Sequence, residues 1–153
     1  MPDLFSHLAA ARLPAAFLRD RRLAALLVIG TFLPDLAAKG FFWVLRTRET
    51  YEVGTHSLVG VVLISYLAAL FLEEPLRTRG FLALATGGLV HVAVDMLKIS
   101  YEHSGLYPLY PFSMWHGNAG WIDPVNVAVL LPIDLAILAV AWALERSRTR
   151  VRE

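Results

Sequence analysis

Two ionisable side chains, His91 and Asp95, lie four residues apart inside an apolar run of the sequence, residues 81–97. At helical spacing they share one face, and ionisable groups inside a membrane are costly and mark functional sites. A neutral imidazole beside a carboxylate can hold a metal ion or a proton. The alternative is a satisfied polar pair that only joins two helices.

The composition sets the class of protein that must position this pair. Hydrophobic residues make up 57% of the 153 residues and charged residues 18%, whereas soluble domains carry about 25% charged residues. We therefore expect an all-α integral membrane bundle, with residues 1–153 as a single membrane-embedded domain. The absence of cysteine excludes disulfides and thiolate ligands. A net charge of +1 without a basic stripe gives no reason to expect nucleic acid.

The hydrophobic runs predict helices at residues 4–18, 23–45, 57–72, 81–98 and 125–145. A polar, aromatic loop is predicted at 99–124 and a basic tail at 146–153. The last four helices are predicted to span. The first covers only about 22 Å of a hydrocarbon core of about 30 Å, so it either spans as a short helix or lies at the interface.

The arginines indicate which way the bundle lies in the membrane. If the first helix spans, nine arginines share one side, against Arg46, Arg48 and Lys98 on the other. By the positive-inside rule we expect the carboxyl terminus to lie in the cytoplasm. We also expect the membrane to be the cytoplasmic membrane of a bacterium or an archaeon. The nine are Arg19, Arg21, Arg22, Arg77, Arg79, Arg146, Arg148, Arg150 and Arg152. Arg12 would then lie within the membrane and need a carboxylate partner, for which Asp134 is a candidate.

This topology brings His7, Asp35 and His56 to the depth of His91 and Asp95, near the outer face. Three imidazoles and two carboxylates suit zinc or manganese, as one or two ions. A metal lowers the pKa of bound water and creates a nucleophile, so hydrolysis is the expected chemistry, with Asp35, His91 and Asp95 as its catalytic residues. Simpler readings remain: Asp35 can pair with a lysine one turn later, and His56 can cap a helix.

Several short motifs occur in a characteristic order: Ser6-His7, Leu33-Pro34-Asp35-Leu36, Thr55-His56-Ser57-Leu58, His91-x-x-x-Asp95, Gly105 and Tyr110-Pro111-Phe112. Over residues 1–113 this order resembles the YdjM-type family of inner-membrane proteins described as metal-dependent hydrolases. It is also similar to the zinc-dependent phospholipase C and single-strand nuclease superfamily, whose helical enzymes cleave phosphoesters with a zinc cluster. The resemblance implies metal ligands at His7, Asp35, His56, His91 and Asp95.

The sequence departs from these relatives at two places. Residues 51–54 stand where many YdjM-type members carry His-Arg-Gly, and Gly120 stands where the soluble zinc enzymes carry a glutamate ligand. His103 and His116 are further candidate ligands in the loop. The departures leave a single metal ion open as an alternative to two.

The function expected from these observations is hydrolysis of a phosphoester, such as a lipid head group or another lipid-linked phosphoester, by a metal-activated water. Arg46, Arg48 and Lys98 would bind the substrate phosphate, and the basic tail would contact anionic lipid heads. Two other functions stay open. One is a proton- or ion-relay transport protein, and the other is a non-catalytic small membrane protein that binds a partner.

Overall fold

The computed structural model describes residues 4–45, 53–99, 106–123 and 125–150. These residues form five α-helices of twelve residues or more, and the described part of the chain contains no β-strand beyond an isolated bridge between Lys98 and Ile122. The expectation of an all-α fold is confirmed. The helices are α1 Leu4–Ala15, α2 Arg21–Leu45, α3 Leu58–Ala69, α4 Glu74–Leu97 and α5 Val127–Arg150.

All five helices differ at one end or both from the predicted bounds, because hydrophobicity marks the apolar part of a helix and not its full length; α1, for example, ends at Ala15 and not at residue 18. Helix α4 begins at Glu74, seven residues before the apolar run, with a proline in its first turn, where the fixed φ of proline suits a helix. Helix α5 continues through much of the predicted basic tail to Arg150, since arginine is a good helix former. Helix α3 ends at Ala69, and its last carbonyls bond a tighter turn at residues 70–72.

Helices α2 and α4 pack so closely that glycine is required between them. A Cβ on Gly87 would lie 2.8 Å from the Thr31 nitrogen, and the Thr31 hydroxyl donates to the Gly87 carbonyl at 3.0 Å. On the other side of α4, a Cβ on Gly88 would lie 2.7 Å from Val61 Cγ1 of α3. Gly87 and Gly88 thus allow α4 to approach α2 and α3 closely, as small residues do in membrane bundles.

Helix α4 is the centre of the bundle, since it packs against α1, α2 and α3, whereas α5 packs against α1 among the described helices. Two side-chain contacts show that α1 and α5 run in the same direction. Ser6 donates to Asp134 at 2.8 Å near the start of α1, and Arg12 pairs with Glu145 at 2.7 Å near its end. Arg12 thus has the carboxylate partner that it needs, but that partner is Glu145 and not Asp134.

The N-terminal ends of α2 and α4 lie near each other, because Arg79, in the second turn of α4, is 4.0 Å from Asp20, which precedes α2. Arg148 of α5 reaches the same end and donates to the carbonyls of Ala16 and Phe17, just after α1. The five helices therefore alternate in direction between two ends of the bundle. We call the end defined by these contacts the arginine end, and the opposite end, where His7 and His91 lie, the histidine end.

Three helices are long and apolar enough to cross a membrane: Arg21–Gly40, Glu74–Leu97 and Val127–Arg148. Helix α3 is apolar but has only 12 residues, which is about 18 Å at the rise of an α-helix. Helix α1 has the same length. By length and composition, the described residues thus provide three of the four predicted spans.

Candidate metal centre

Five ionisable residues from four separate parts of the chain meet at the histidine end. They form two groups of three whose ligand atoms lie within 4.8 Å of one another. One group is His7, His91 and Asp95, and the other is Asp35, His56 and His91. Helices α1, α2 and α4 and the segment before α3 thus bring together all five residues that the sequence analysis grouped. His91 belongs to both groups and lies at their centre.

The distances between these side chains fit ligands that share an ion. His91 Nε2 lies 3.0 Å from Asp95 Oδ2 and 3.8 Å from Asp35 Oδ1. His7 Nε2 is 3.2 Å from Asp95 Oδ1, and His56 Nε2 is 3.3 Å from Asp35 Oδ1. Nitrogen and oxygen ligands at about 2.0–2.1 Å from a tetrahedral ion are separated by about 3.3 Å. The observed separations lie on either side of this value.

The His91 side chain gives the clearest sign of a ligand. The residue is 1% exposed, its Nδ1 makes no hydrogen bond within the described part of the chain, and its Nε2 faces the carboxylates of Asp95 and Asp35. A buried polar atom without a hydrogen bond costs about 1–3 kcal/mol, so native structures seldom keep one without a function. The ring of His7 stacks on His91 with centroids 4.0 Å apart. The residues present therefore fit a divalent metal ion.

The neighbours of His56 hold its ring in place. The Thr55 hydroxyl is 3.0 Å from His56 Nδ1 in a buried contact, which directs Nε2 toward Asp35. Ser57 caps α3 by accepting from the Gly60 nitrogen at 3.0 Å. Partners on the second nitrogen of a ligand histidine fix its tautomer and orientation. Sequence reasoning missed the role of Thr55, although its place beside His56 is the signal that could have shown it.

The loop between α4 and α5 holds the end of α4 that carries Asp95. Asn118 donates to the Asp95 carbonyl at 3.2 Å and accepts from the Leu106 nitrogen at 3.1 Å. The backbone nitrogens of Ala119 and Trp121 also donate to carbonyls of the last α4 turn. No sequence signal separates Asn118 from other polar loop residues, because its partners are distant in sequence.

Lys98 lies inside the cluster. It is 8% exposed, and its ammonium contacts Asp95 Oδ1 and lies 2.8 Å from His7 Nε2. A cation is therefore already present in the group formed by His7, His91 and Asp95. A neutral imidazole has one acceptor nitrogen, so the shared His91 serves one ion at a time. The group of Asp35, His56 and His91 is the better candidate for that ion.

The remaining predicted site residues lie elsewhere or outside the described residues. His116 is exposed, with its ring 5.0 Å from that of Tyr107, and it is part of neither group. Arg46, Arg48 and His103 fall outside the described residues. The cluster is reached from the side of Asp35, whose side chain is 34% exposed, compared with 1% for His91.

A family model for the YdjM inner membrane protein matches residues 4–151. The chain belongs to the YdjM family. The match extends through α5, well beyond the residues 1–113 that carry the sequence resemblance. No curated protein and no solved structure matches the chain. The family name and the three apolar helices agree on a membrane protein, and within this YdjM chain the clustered histidines and aspartates could bind a metal ion.

Proposed function

We propose that the protein is a membrane-bound metal-dependent hydrolase that cleaves a phosphoester at the histidine end of its bundle. The observation that carries the proposal is His91, a fully buried imidazole whose Nε2 lies 3.0 Å from Asp95 Oδ2 and 3.8 Å from Asp35 Oδ1 and so faces two carboxylates. Such a site is costly to the fold unless a cation completes it. The order of motifs, similar to that of zinc-dependent phospholipases and single-strand nucleases, supports the phosphoester.

Asp35, His56 and His91 would hold one divalent ion, and their nitrogen and oxygen donors suit zinc or manganese. A bound divalent ion lowers the pKa of water and stabilises negative charge on phosphoryl oxygens. Asp95 lies beside this group, with Oδ2 3.0 Å from His91 Nε2. Its carboxylate would orient the His91 ring beside the ion, and the contact with Lys98 holds the carboxylate in place.

Lys98 supplies a fixed positive charge at the site. Its ammonium is held between Asp95 and His7, adjacent to the place where the ion binds. An ammonium so close to a reacting phosphate favours the charge that develops on the phosphate oxygens. This extends the role in phosphate binding that the sequence analysis gave to Lys98. It also gives His7 the task of positioning Lys98 while the other group holds the ion.

The substrate is a lipid or another lipid-linked phosphoester, and the site faces the outer side of the membrane. The arginine end carries most of the cations and would be cytoplasmic by the positive-inside rule. Helix α3 and the turn after it run between the two ends and would be the fourth span. Trp115, Trp121 and Phe112 of the neighbouring loop are exposed, as are aromatic side chains at a membrane interface.

The layer between the two ends argues against a proton or ion relay. A relay needs polar groups within hydrogen-bond reach through the whole bundle. The described core between α1, α2 and α4 is instead an apolar cluster that includes Ala11, Leu27 and Ala83. Ionisable groups thus gather at the two ends, which favours a local site over a pathway.

The first test compares His91→Ala with His116→Ala, which removes an exposed histidine outside the cluster. Protein purified in detergent should contain zinc or manganese, the His116 variant should keep it, and the His91 variant should lose it. The parent should also hydrolyse a phospholipid or a generic phosphoester, and a chelator should stop the reaction. Equal metal content in both variants would disprove the centre, and activity that survives thorough chelation would disprove the metal-dependent reaction.

A further inference from the structure

A cavity of about 460 Å³ opens at the arginine end, between α1, α2 and α5. Its lining is strongly basic, because five arginines meet there with one glutamate and leave a formal surplus of four positive charges. These residues are Arg12, Arg19, Arg21, Arg146, Arg148 and Glu145. Arg21 precedes Asp35 by 14 residues of α2, or about 21 Å, so the cavity is separate from the metal centre.

Neighbouring groups hold three of these guanidinium groups in place. Arg12 pairs with Glu145 at 2.7 Å. Arg148 donates through Nη1 to the carbonyls of Ala16 and Phe17, at 3.1 and 2.8 Å. Arg146 lies over the ring of Trp142, 4.0 Å from its centroid. Each guanidinium has five N–H donors, so these contacts orient the groups and leave each able to bind an anion as well.

The guanidinium groups that line the cavity favour phosphate as the ligand. Like charges gathered in one cavity repel one another, and an anion between them removes that cost. The planar guanidinium fork matches phosphate oxygens in a bidentate manner. A volume of 460 Å³ lies in the range of pockets for small ligands, which is about 300–1,000 Å³.

The position of the cavity indicates where the phosphate comes from. It lies where the apolar span Arg21–Gly40 begins, which is the level of lipid head groups. Anionic phospholipids are concentrated in the cytoplasmic leaflet, the side to which the positive-inside rule assigns this end. We propose that the cavity between α1, α2 and α5 binds the phosphate of an anionic phospholipid head group, independently of the metal centre.

The test uses the full chain, delipidated in an uncharged detergent, and three probes: dihexanoyl phosphatidylglycerol, dihexanoyl phosphatidylcholine and inorganic phosphate. Affinity is measured from the rise of the melting midpoint with probe concentration. The variant Arg21→Gln/Arg146→Gln removes two cavity charges. The matched control Arg79→Gln removes a charge at the same end from a side chain that is 65% exposed and does not line the cavity. Circular dichroism checks that each variant is helical.

We expect phosphatidylglycerol to bind the parent and phosphatidylcholine to bind far more weakly. The double variant should lose about tenfold in affinity for each arginine removed, while the control should stay within about threefold. Binding of inorganic phosphate but not of the lipid, with the same dependence on the two arginines, would support the phosphate site and assign free phosphate as its source. Equal losses in the double variant and the control, or no binding of either anion, would overturn the proposal.

Discussion

Replacing Thr55 with valine tests whether the surroundings of His56 are built for metal binding. Valine keeps the shape of threonine but removes the hydroxyl that lies 3.0 Å from His56 Nδ1 in a buried contact. A buried polar atom that loses its partner costs about 1–3 kcal/mol. Groups that orient a ligand histidine are worth about 10–100-fold in metal affinity, or about 1.4–2.8 kcal/mol. We therefore expect the zinc Kd of Thr55→Val to rise by about 10–100-fold.

The assay is a competition titration of purified protein with a chromophoric zinc chelator in detergent. Thr55→Ser is the matched control, because it keeps the hydroxyl and removes only a methyl group, and it should bind zinc within about threefold of the parent. Helical circular dichroism of all three proteins shows that folding is intact. If Thr55→Val binds zinc as tightly as Thr55→Ser, His56 is not held as a metal ligand and the reasoning is refuted.

Three further predictions concern the fold and its link to the metal. Gly87→Ala should lower the free energy of unfolding by about 1–3 kcal/mol, because the added methyl group meets the backbone of α2. The control Gly40→Ala has open space around it and should not lower the melting midpoint. Equal melting midpoints of the two variants would contradict the close packing. Removing the metal with a chelator should lower the melting midpoint of the parent, since a ligand at 100 times its Kd adds about 2.7 kcal/mol to the free energy of unfolding. An equal drop in the His91→Ala variant would show that the effect does not come from the metal centre. Ser6→Ala should lower the free energy of unfolding by about 1–3 kcal/mol, because it removes a hydrogen bond to the buried Asp134. Thermal melting measures the loss, and Ser147→Ala is the control, since its hydroxyl is exposed on the same helix as Asp134.

The sequence predicted the grouping of the five ionisable residues because the alternation of apolar runs fixes how deep each residue lies in the membrane. Each run that crosses reverses direction, so residues such as Asp35 and His91 near corresponding ends come to one level. The arginines marked the other end by the same logic, and the contact of Arg79 with Asp20 shows that the N-terminal ends of α2 and α4 do lie near each other. Composition, hydrophobic runs and charge therefore sufficed for the fold class, and together with the resemblance in the order of motifs they sufficed for the candidate cluster.

The side-chain partners between helices could not be predicted, because the depth of a residue in the membrane does not say which helices are neighbours. Asp134 was a candidate partner for Arg12, but the register of the parallel helices α1 and α5 matches Arg12 with Glu145 and Asp134 with Ser6. The length of the apolar run also predicted the wrong C-terminal end for α3. Its apolar sequence continues to residue 72, yet regular helix stops at Ala69, since hydropathy does not distinguish a helix from the tight turn that follows it.

Helix α1 joins the two candidate sites physically. It carries His7, which lies against Asp95 and Lys98 at the histidine end, and Arg12, which lines the cavity at the arginine end. These residues are five positions apart, about 8 Å along the helix. Among the described helices α5 packs against α1, so whatever fixes α5 at the arginine end also fixes α1. An anion bound between Arg12, Arg21 and Arg146 would hold the neighbouring ends of α1, α2 and α5 together. The contacts of Ser6 with Asp134 and of Arg12 with Glu145 fix the register of this twelve-residue helix against α5, because they lie near its two ends.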